Sequence, residues 1–483
     1  MRPQNLLIIM ADEHNPKVLG CAGHPEVKTP NLDHLASTGV RFSAAYTASP
    51  ICVPARAAFA TGRYVWRMGY WDNADPYDGR IPSWQHYLRS LGHDVVSIGK
   101  LHFRGREADD HGFSREHIPM HVEGGTGNLK TSIRDMSSRR DGSKLLALAG
   151  PGESAYTRYD RDIASQAQSW IRGQARGMAG KPWVLFVSFV APHFPLTAPA
   201  EWYSHYAKMQ LRMPKLYGQS DRLSHACLQY LSEYMDYGRH FKTDEDVRRA
   251  LAGYYGLTSF ADHHVGQVLG ALEGSGLASD TRVIYLSDHG DNLGARGLWG
   301  KSTMFQESVG VPLIVRGADL PHGRVCTEPV SLVDLFPFVL ECVGAPSPEF
   351  EDELSGVSLS SVLSGTARER AILSEYHAVG STSAVYMLRR GRFKYVHYLG
   401  EQPQLFDLDS DAEELHDLAT DIACAPLISE FNRELRSILD PEEVDQRAKR
   451  RQMTLVEQAG GRSVVLNNTD FAWTSPPAAV VPG

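Results

Sequence analysis

The chain has only six cysteines in 483 residues, Cys21, Cys52, Cys227, Cys326, Cys342 and Cys424, and no two stand in C-x-x-C spacing. That scatter argues against a zinc ribbon, a thioredoxin-like pair and a disulfide framework, so each cysteine reads as a lone thiol to be judged by its surroundings. There is no long run of Lys and Arg, and 49 basic against 57 acidic residues leave a net charge of −8. Without a basic footprint to neutralise phosphates, a nucleic acid is not expected as a partner. The longest early apolar run, Leu6 to Met10, falls far short of the ~20 residues that span a bilayer. Asp12, Glu13 and His14 follow it at once, with no small-residue cleavage site between. No transmembrane helix and no secretory leader are expected, and the chain reads as cytoplasmic, without membrane attachment.

A hydrophobic content of 42% suits a globular protein, and the length suits one large domain with a small one. Short apolar, β-branched runs recur at Asn5 to Met10, Asp94 to Ile98, Trp183 to Phe189, Arg282 to Ser287 and Pro312 to Val315, with helical periodicity between them. This predicts an α/β fold, a mostly parallel sheet sandwiched by helices, over residues 1–365. The clearest helix spans Asp246 to Leu272; Pro30 to Ala36 and Pro54 to Ala60 read as short helices opening on proline, the second closed by Gly62. Over residues 366–462 a smaller C-terminal α+β unit is expected: a hairpin of Ser383 to Leu388 and Arg392 to Tyr398, then helices near Ile428 to Ile438 and Glu442 to Gln458. Residues 463–483, apolar but proline-rich, read as an extended arm on the main body or in an oligomer contact.

Two acidic clusters follow predicted strands: Asp12-Glu13-His14 after Asn5 to Met10, and Ser287-Asp288-His289-Gly290-Asp291 after Arg282 to Leu286. Ligands of open α/β sheets gather at the carboxyl ends of strands, so the clusters share one site if their strands lie side by side. Carboxylates with one imidazole suit Ca2+ or Mn2+, with Mg2+ behind them, better than Zn2+. His289 reads either as a neutral ligand or as a donor standing behind the ligands. Cys52 lies in Pro50-Ile51-Cys52-Val53-Pro54-Ala55-Arg56, a C-x-P-x-R motif at the start of a short helix. A thiol at a helix N-terminus is expected to have a lowered pKa and to face anions, which points to chemistry on an anionic substrate.

This motif resembles that of the type I sulfatases of the alkaline-phosphatase superfamily. The resemblance implies an alkaline-phosphatase-like fold, a divalent cation, and oxidation of Cys52 to Cα-formylglycine by a formylglycine-generating maturation enzyme. In that family the aldehyde is hydrated to a diol; one hydroxyl attacks sulfur and the other expels sulfate from the resulting hemiacetal. The resemblance places Asp12, Glu13, Asp288, His289 and the modified Cys52 at the cation, although Glu13 stands where the family usually has Asp or Gln. Arg56 would hold the formylglycine oxygens. Gly99-Lys100-Leu101-His102 is similar to a G-K-x-H segment in which the lysine contacts sulfate and the histidine helps the diol or hemiacetal lose its proton. His193, in Ala191-Pro192-His193, and Lys301, in Gly300-Lys301, would assist the leaving group, and Asn73, in Asp72-Asn73, would touch the substrate anion. A sulfate ester gathers negative charge in its transition state, so a cation, fixed positive side chains and a proton donor are what the chemistry requires.

Within the superfamily the segments Ser287 to Trp299, Ala48 to Cys52, Arg392 to Tyr395 and Leu405 to Leu408 look most like the choline-sulfatase-like group. The expected substrate is a small organic sulfate monoester, and the expected assembly a homo-oligomer, dimer or tetramer. A cage for a quaternary ammonium would have to draw on Tyr70, Trp71 and Trp299, because Glu123 to Asp135 is glycine-rich and lacks aromatics. Two alternatives stand beside this reading. One is a phosphonate monoester or phosphodiester hydrolase, whose members tend to carry Tyr and Thr where this chain has Lys100 and His102. The other is a non-catalytic anion-binding homologue that keeps Cys52 as a thiol.

Overall fold

In the computed structural model, which describes residues 2–174, 180–218, 223–468 and 474–477, the run expected as the first strand forms β1 (Asn5–Asp12), buried along its whole length. Alternation along β1 sends Leu6, Ile8 and Met10 into one core and Leu7, Ile9 and Ala11 into the other. A strand with both faces covered has no polar face, which is why it reads as a continuous apolar run.

β1 lies inside an eight-stranded sheet with β2 (Val40–Phe42), β3 (Val95–Gly105), β4 (Arg115–Glu123), β5 (Val184–Pro192), β6 (Thr281–Ser287), β7 (Leu313–Arg316) and β8 (Arg324–Cys326). The order is β8-β2-β7-β6-β1-β5-β3-β4. β7 runs antiparallel to both neighbours and every other pairing is parallel. The expected mostly parallel sheet is thus present, with β2, β4 and β8 as additions.

Helices cover both faces. α1 (Pro30–Ser37), α3 (Ala155–Gln174) and α4 (Asp244–Gly274) bury Leu32, Ile163 and Val268 in one core, whereas α2 (Cys52–Thr61) and α5 (Leu335–Val343) bury Ala58 and Phe338 in the other. α4 opens on a reciprocal cap between Thr243 and Asp246. α2 starts at Cys52, not at Pro54 as the proline suggested; the Val53 N–H finds an acceptor in Asn73 Oδ1, which caps the extra turn.

β9 (Ile372–Tyr376), β10 (Val385–Arg390), β11 (Phe393–Tyr398) and β12 (Gln404–Asp407) form an antiparallel sheet in sequence order. α6 (Ala425–Ile438) packs on it, with Phe431 stacked on Tyr395, and α7 (Pro441–Gln458) follows. The arm departs from expectation: Arg462–Asn467 is helical, since its prolines begin only at Pro476 and leave the first turn free to coil. Residues 474–477 lack regular structure, and the rest of the arm beyond Asn468 lies outside the described residues. No helix among the described residues is long and apolar enough to cross a membrane.

Candidate active site

Parallel register brings the two acidic clusters together. Ala11 pairs with Ser287 of β6 and Asp12 with Pro192 of β5, so the residues leaving β1, β5 and β6 share one edge of the sheet. The Glu13 N–H donates to Asp288 Oδ1 at 3.2 Å across 275 residues of sequence. Gly99 of β3 pairs with Ser188 of β5, which sets Lys100 beside them, and α2 delivers Cys52 from its first turn.

Arg56, one turn further along α2 and 1% exposed, ties these groups from beneath. Its Nε donates to Asp288 Oδ2 at 2.7 Å, its Nη2 to Asp12 Oδ2 at 3.0 Å, and its Nη1 to the Lys100 carbonyl and Ser188 Oγ. Lys100 Nζ reaches the same Asp12 Oδ2 at 2.5 Å. Cys52 Sγ faces His289 Nε2 at 3.2 Å and Lys301 Nζ at 3.1 Å. Lys301 also donates to Glu13 Oε2 at 3.0 Å, and His193 Nε2 stands 3.3 Å from that oxygen. Asp12, Glu13, Cys52, Arg56, Lys100, Asp288, His289, Lys301 and His193 therefore converge. Asn73 lines the same pocket, its oxygen engaged by α2.

Asp12, Cys52, Asp288 and His289 each place one ligand-capable atom within 4.8 Å of the others, all buried. Glu13 Oε1 is buried with no hydrogen-bond partner, and Asp12, Glu13 and His193 make a second, overlapping group. Carboxylate oxygens with one imidazole, and a carboxylate oxygen left over, fit a hard divalent cation.

Among the sequence-family models, sulfatase covers residues 4–345. The chain belongs to the sulfatase family. Its activity class is therefore hydrolysis of sulfuric esters. A second model, N-sulphoglucosamine sulphohydrolase, C-terminal, covers residues 294–440. This sulfatase is 32% identical over 431 residues to choline-sulfatase of Rhizobium meliloti (strain 1021), spanning 86% of this chain and 82% of that one. It is 28% identical over 459 residues to arylsulfatase K of Danio rerio, spanning 90% and 84%. Its fold is like that of the phosphonate monoester hydrolase of Agrobacterium radiobacter, with a TM-score of 0.72 at 24% identity over 90% of this chain and 95% of that one.

The electrostatics of the sulfatase's site follow from burial set against charge. Burial opposes ionisation of Asp12, but Lys100, His193, Arg56 and Lys301 outweigh it and hold the carboxyl well below its usual range. For Glu13 burial wins over Lys301 and lifts the carboxyl to about 8. Burial, with Lys100 beside His102 and Lys301 beside His193, keeps both imidazoles well below their usual value. Cys52 departs from the sequence-based expectation: burial and the facing Asp12 push the thiol up to about 11, overriding the helix N-terminus.

Several residues in the pocket or supporting it have no sequence signal. His102 Nε2 meets Thr474 Oγ1 at 2.9 Å, and Tyr156 OH donates to the Thr474 carbonyl at 2.9 Å, so the arm returns to the site. Asp160 accepts from the Val190 and Ala191 N–H groups, fixing the end of β5 before His193. The three aromatics considered for an ammonium cage do not assemble. Trp299 lines the pocket, stacked on Phe241 at 4.5 Å, but Trp71 packs on His377 and Tyr70 on Tyr77, because both fill core space behind the pocket.

Proposed function

We propose that this sulfatase hydrolyses a small organic sulfate monoester to sulfate and an alcohol or phenol, with position 52 carrying the nucleophile. One observation carries the reading: Cys52 Sγ is the point on which His289, Lys301 and the Asp12 carboxylate converge. Cys52, converted to Cα-formylglycine by a maturation enzyme, would supply a diol in place of a thiol that burial keeps protonated. Asp12, Asp288, His289 and the modified side chain, with Glu13 alongside, would hold a divalent cation, Ca2+ or Mn2+, whose chemistry is Lewis-acid polarisation and charge neutralisation.

The remaining roles belong to this chain's own residues. Arg56 orients Asp12 and Asp288 and fixes their spacing. Lys100 and Lys301 present ammonium groups to sulfate oxygens, and Asn73 stands beside them. His102, neutral through burial, is suited to accept a proton from the position-52 hydroxyl. His193 and Lys301 stand on the Glu13 side, where they serve the leaving oxygen. The same reading includes a homo-oligomer; light scattering tests it.

The test is mass spectrometry of the tryptic peptide 42–56 from protein made alongside a formylglycine-generating enzyme, followed by turnover of sulfate and phosphonate esters. A loss of about 18 mass units at Cys52 together with sulfate release is the expected result. Faster turnover of phosphonate monoesters would transfer the reading to that hydrolase class. A converted protein inactive on every ester would leave the anion-binding reading.

A further inference from the structure

One other set of metal-ligating side chains is gathered among the described residues away from the active site: His111, Glu116 and His121. Glu116 and His121 both lie on β4, where simple alternation would send residues five apart to opposite faces. The pairing with β3 interrupts that alternation. From Ile98 to Lys100 β3 advances two residues, while their partners His117 and Met120 are three apart. The inserted residue is a bulge, and Ile118 within it has φ +41°, a left-handed backbone that a β-branched residue rarely adopts. With one residue taken out of the alternation, Glu116 and His121 fall on the same face. His111, from the preceding loop, closes the third side, its ring 4.7 Å from that of His121 and 5.4 Å from that of Phe103.

The hydrogen bonds fix which atoms point inward. His111 Nε2 lies 3.0 Å from the Arg104 carbonyl, which can only accept, so Nε2 carries a proton. In the neutral ring Nδ1 then aims a lone pair at Glu116 Oε1, 3.1 Å away, an arrangement that requires either a second proton on His111 or a metal ion between them. Glu116 Oε2 stands 2.8 Å from His121 Nε2. An imidazole whose outer N–H is held by a backbone carbonyl while its other nitrogen faces a carboxylate is how ligating histidines are oriented. The neighbouring Asp109 is occupied by Arg104 and Asp110 by Arg89, so neither competes for the position.

We infer that His111, Glu116 and His121 form a second metal site, for a borderline divalent cation of the zinc class, separate from the active-site cluster. Two imidazoles and one carboxylate favour Zn2+ over Ca2+ or Mg2+, the opposite preference to the oxygen-rich active site. Three protein ligands leave water the open position. The ion would clamp the loop carrying His111 onto β4, next to the strand that bears Lys100 and His102.

The experiment is titration of the whole protein, saturated with Ca2+, by Zn2+ against a chromogenic chelator. Wild type and Asp288→Asn are expected to take up one Zn2+ equivalent, and His121→Ala and Glu116→Gln to lose it, with thermal melting confirming that the variants are folded. Zinc-edge anomalous scattering from wild-type crystals soaked in Zn2+ provides a measurement that needs no variant; the expected peak lies between His111 Nδ1, His121 Nε2 and Glu116. No peak there, or an equivalent retained in a folded His121→Ala protein, overturns the proposal and leaves His111 as a direct hydrogen-bond partner of Glu116.

Discussion

Lys301 Nζ stands 3.1 Å from Cys52 Sγ. Burial opposes its charge, yet the acidic groups around it, Asp12 and Asp288 among them, more than compensate and keep the ammonium protonated well beyond its usual range. A fixed cation beside the reacting centre stabilises charge that develops there, and removing one such donor costs about 10²–10³ in kcat. Lys301→Ala is therefore expected to lower kcat by that factor in protein whose Cys52 is fully converted. Steady-state kinetics on an aryl sulfate provide the check, and a kcat within a few-fold of wild type would refute the role.

Stripping divalent cations should abolish turnover and lower the melting temperature together, because the same carboxylates would hold the ion and the fold of the sheet edge. A cation present at 100 times its Kd adds about 2.7 kcal/mol to stability, so the melting shift should be readily measured. Calcium or manganese, added back, should restore both. Asp288→Asn should reproduce the loss of activity and resist rescue, since Asp288 also anchors Arg56 Nε.

Gly99 sets the spacing of β3 and β5 just before Lys100. Its φ is +104°, and a Cβ there would sit 2.3 Å from the Ser188 carbonyl oxygen. Gly99→Ala must push the strands apart or unbend the backbone, at a cost of at least ~2 kcal/mol. Denaturant unfolding and kcat should fall together, whereas Gly274→Ala, where nothing lies within 4 Å, should leave both near wild type.

Glu375 on β9 is buried, accepts from the Trp66 N–H, and lies 3.1 Å from His377 Nε2. Burial outweighs these bonds and raises its carboxyl from 4.5 to about 8. The folded state then keeps a proton that the unfolded state releases, so unfolding free energy falls as pH rises from 4.5 to 8 and levels off above. One such group gives a slope of up to ~1.4 kcal/mol per pH unit. Urea unfolding from pH 5 to 9 should show a shallower decline for Glu375→Gln; identical slopes would refute the assignment.

What the sequence discloses depends on how each element is covered. β1, β5 and β6 are buried throughout and carry central apolar runs because helices cover both faces, so their positions are legible to within a few residues. β2 and β8 span three residues each, too few to show a period, and each contains an arginine. In the site, Asp12, Glu13, Asp288 and His289 are legible because they follow strands, and Cys52 with Arg56 because of the motif. Thr474 is a single hydroxyl 372 residues from its partner His102, and nothing in its neighbourhood marks it. The thiol pKa escapes a local reading for a related reason: a helix start is local, whereas the burial of Cys52 and the Asp12 facing it are products of the assembled sheet.

β1, the first strand of the chain, is seated between β5, which begins at Val184, and β6, which begins at Thr281. During synthesis the hydrogen-bonding edge that pairs with β6 must wait for more than half the chain to emerge. Folding cannot proceed by simple accretion from the N-terminus, and long-range pairing of this kind is slow and prone to misassociation on the way. An expression host that shields nascent apolar segments should therefore give a markedly larger soluble fraction than one that does not.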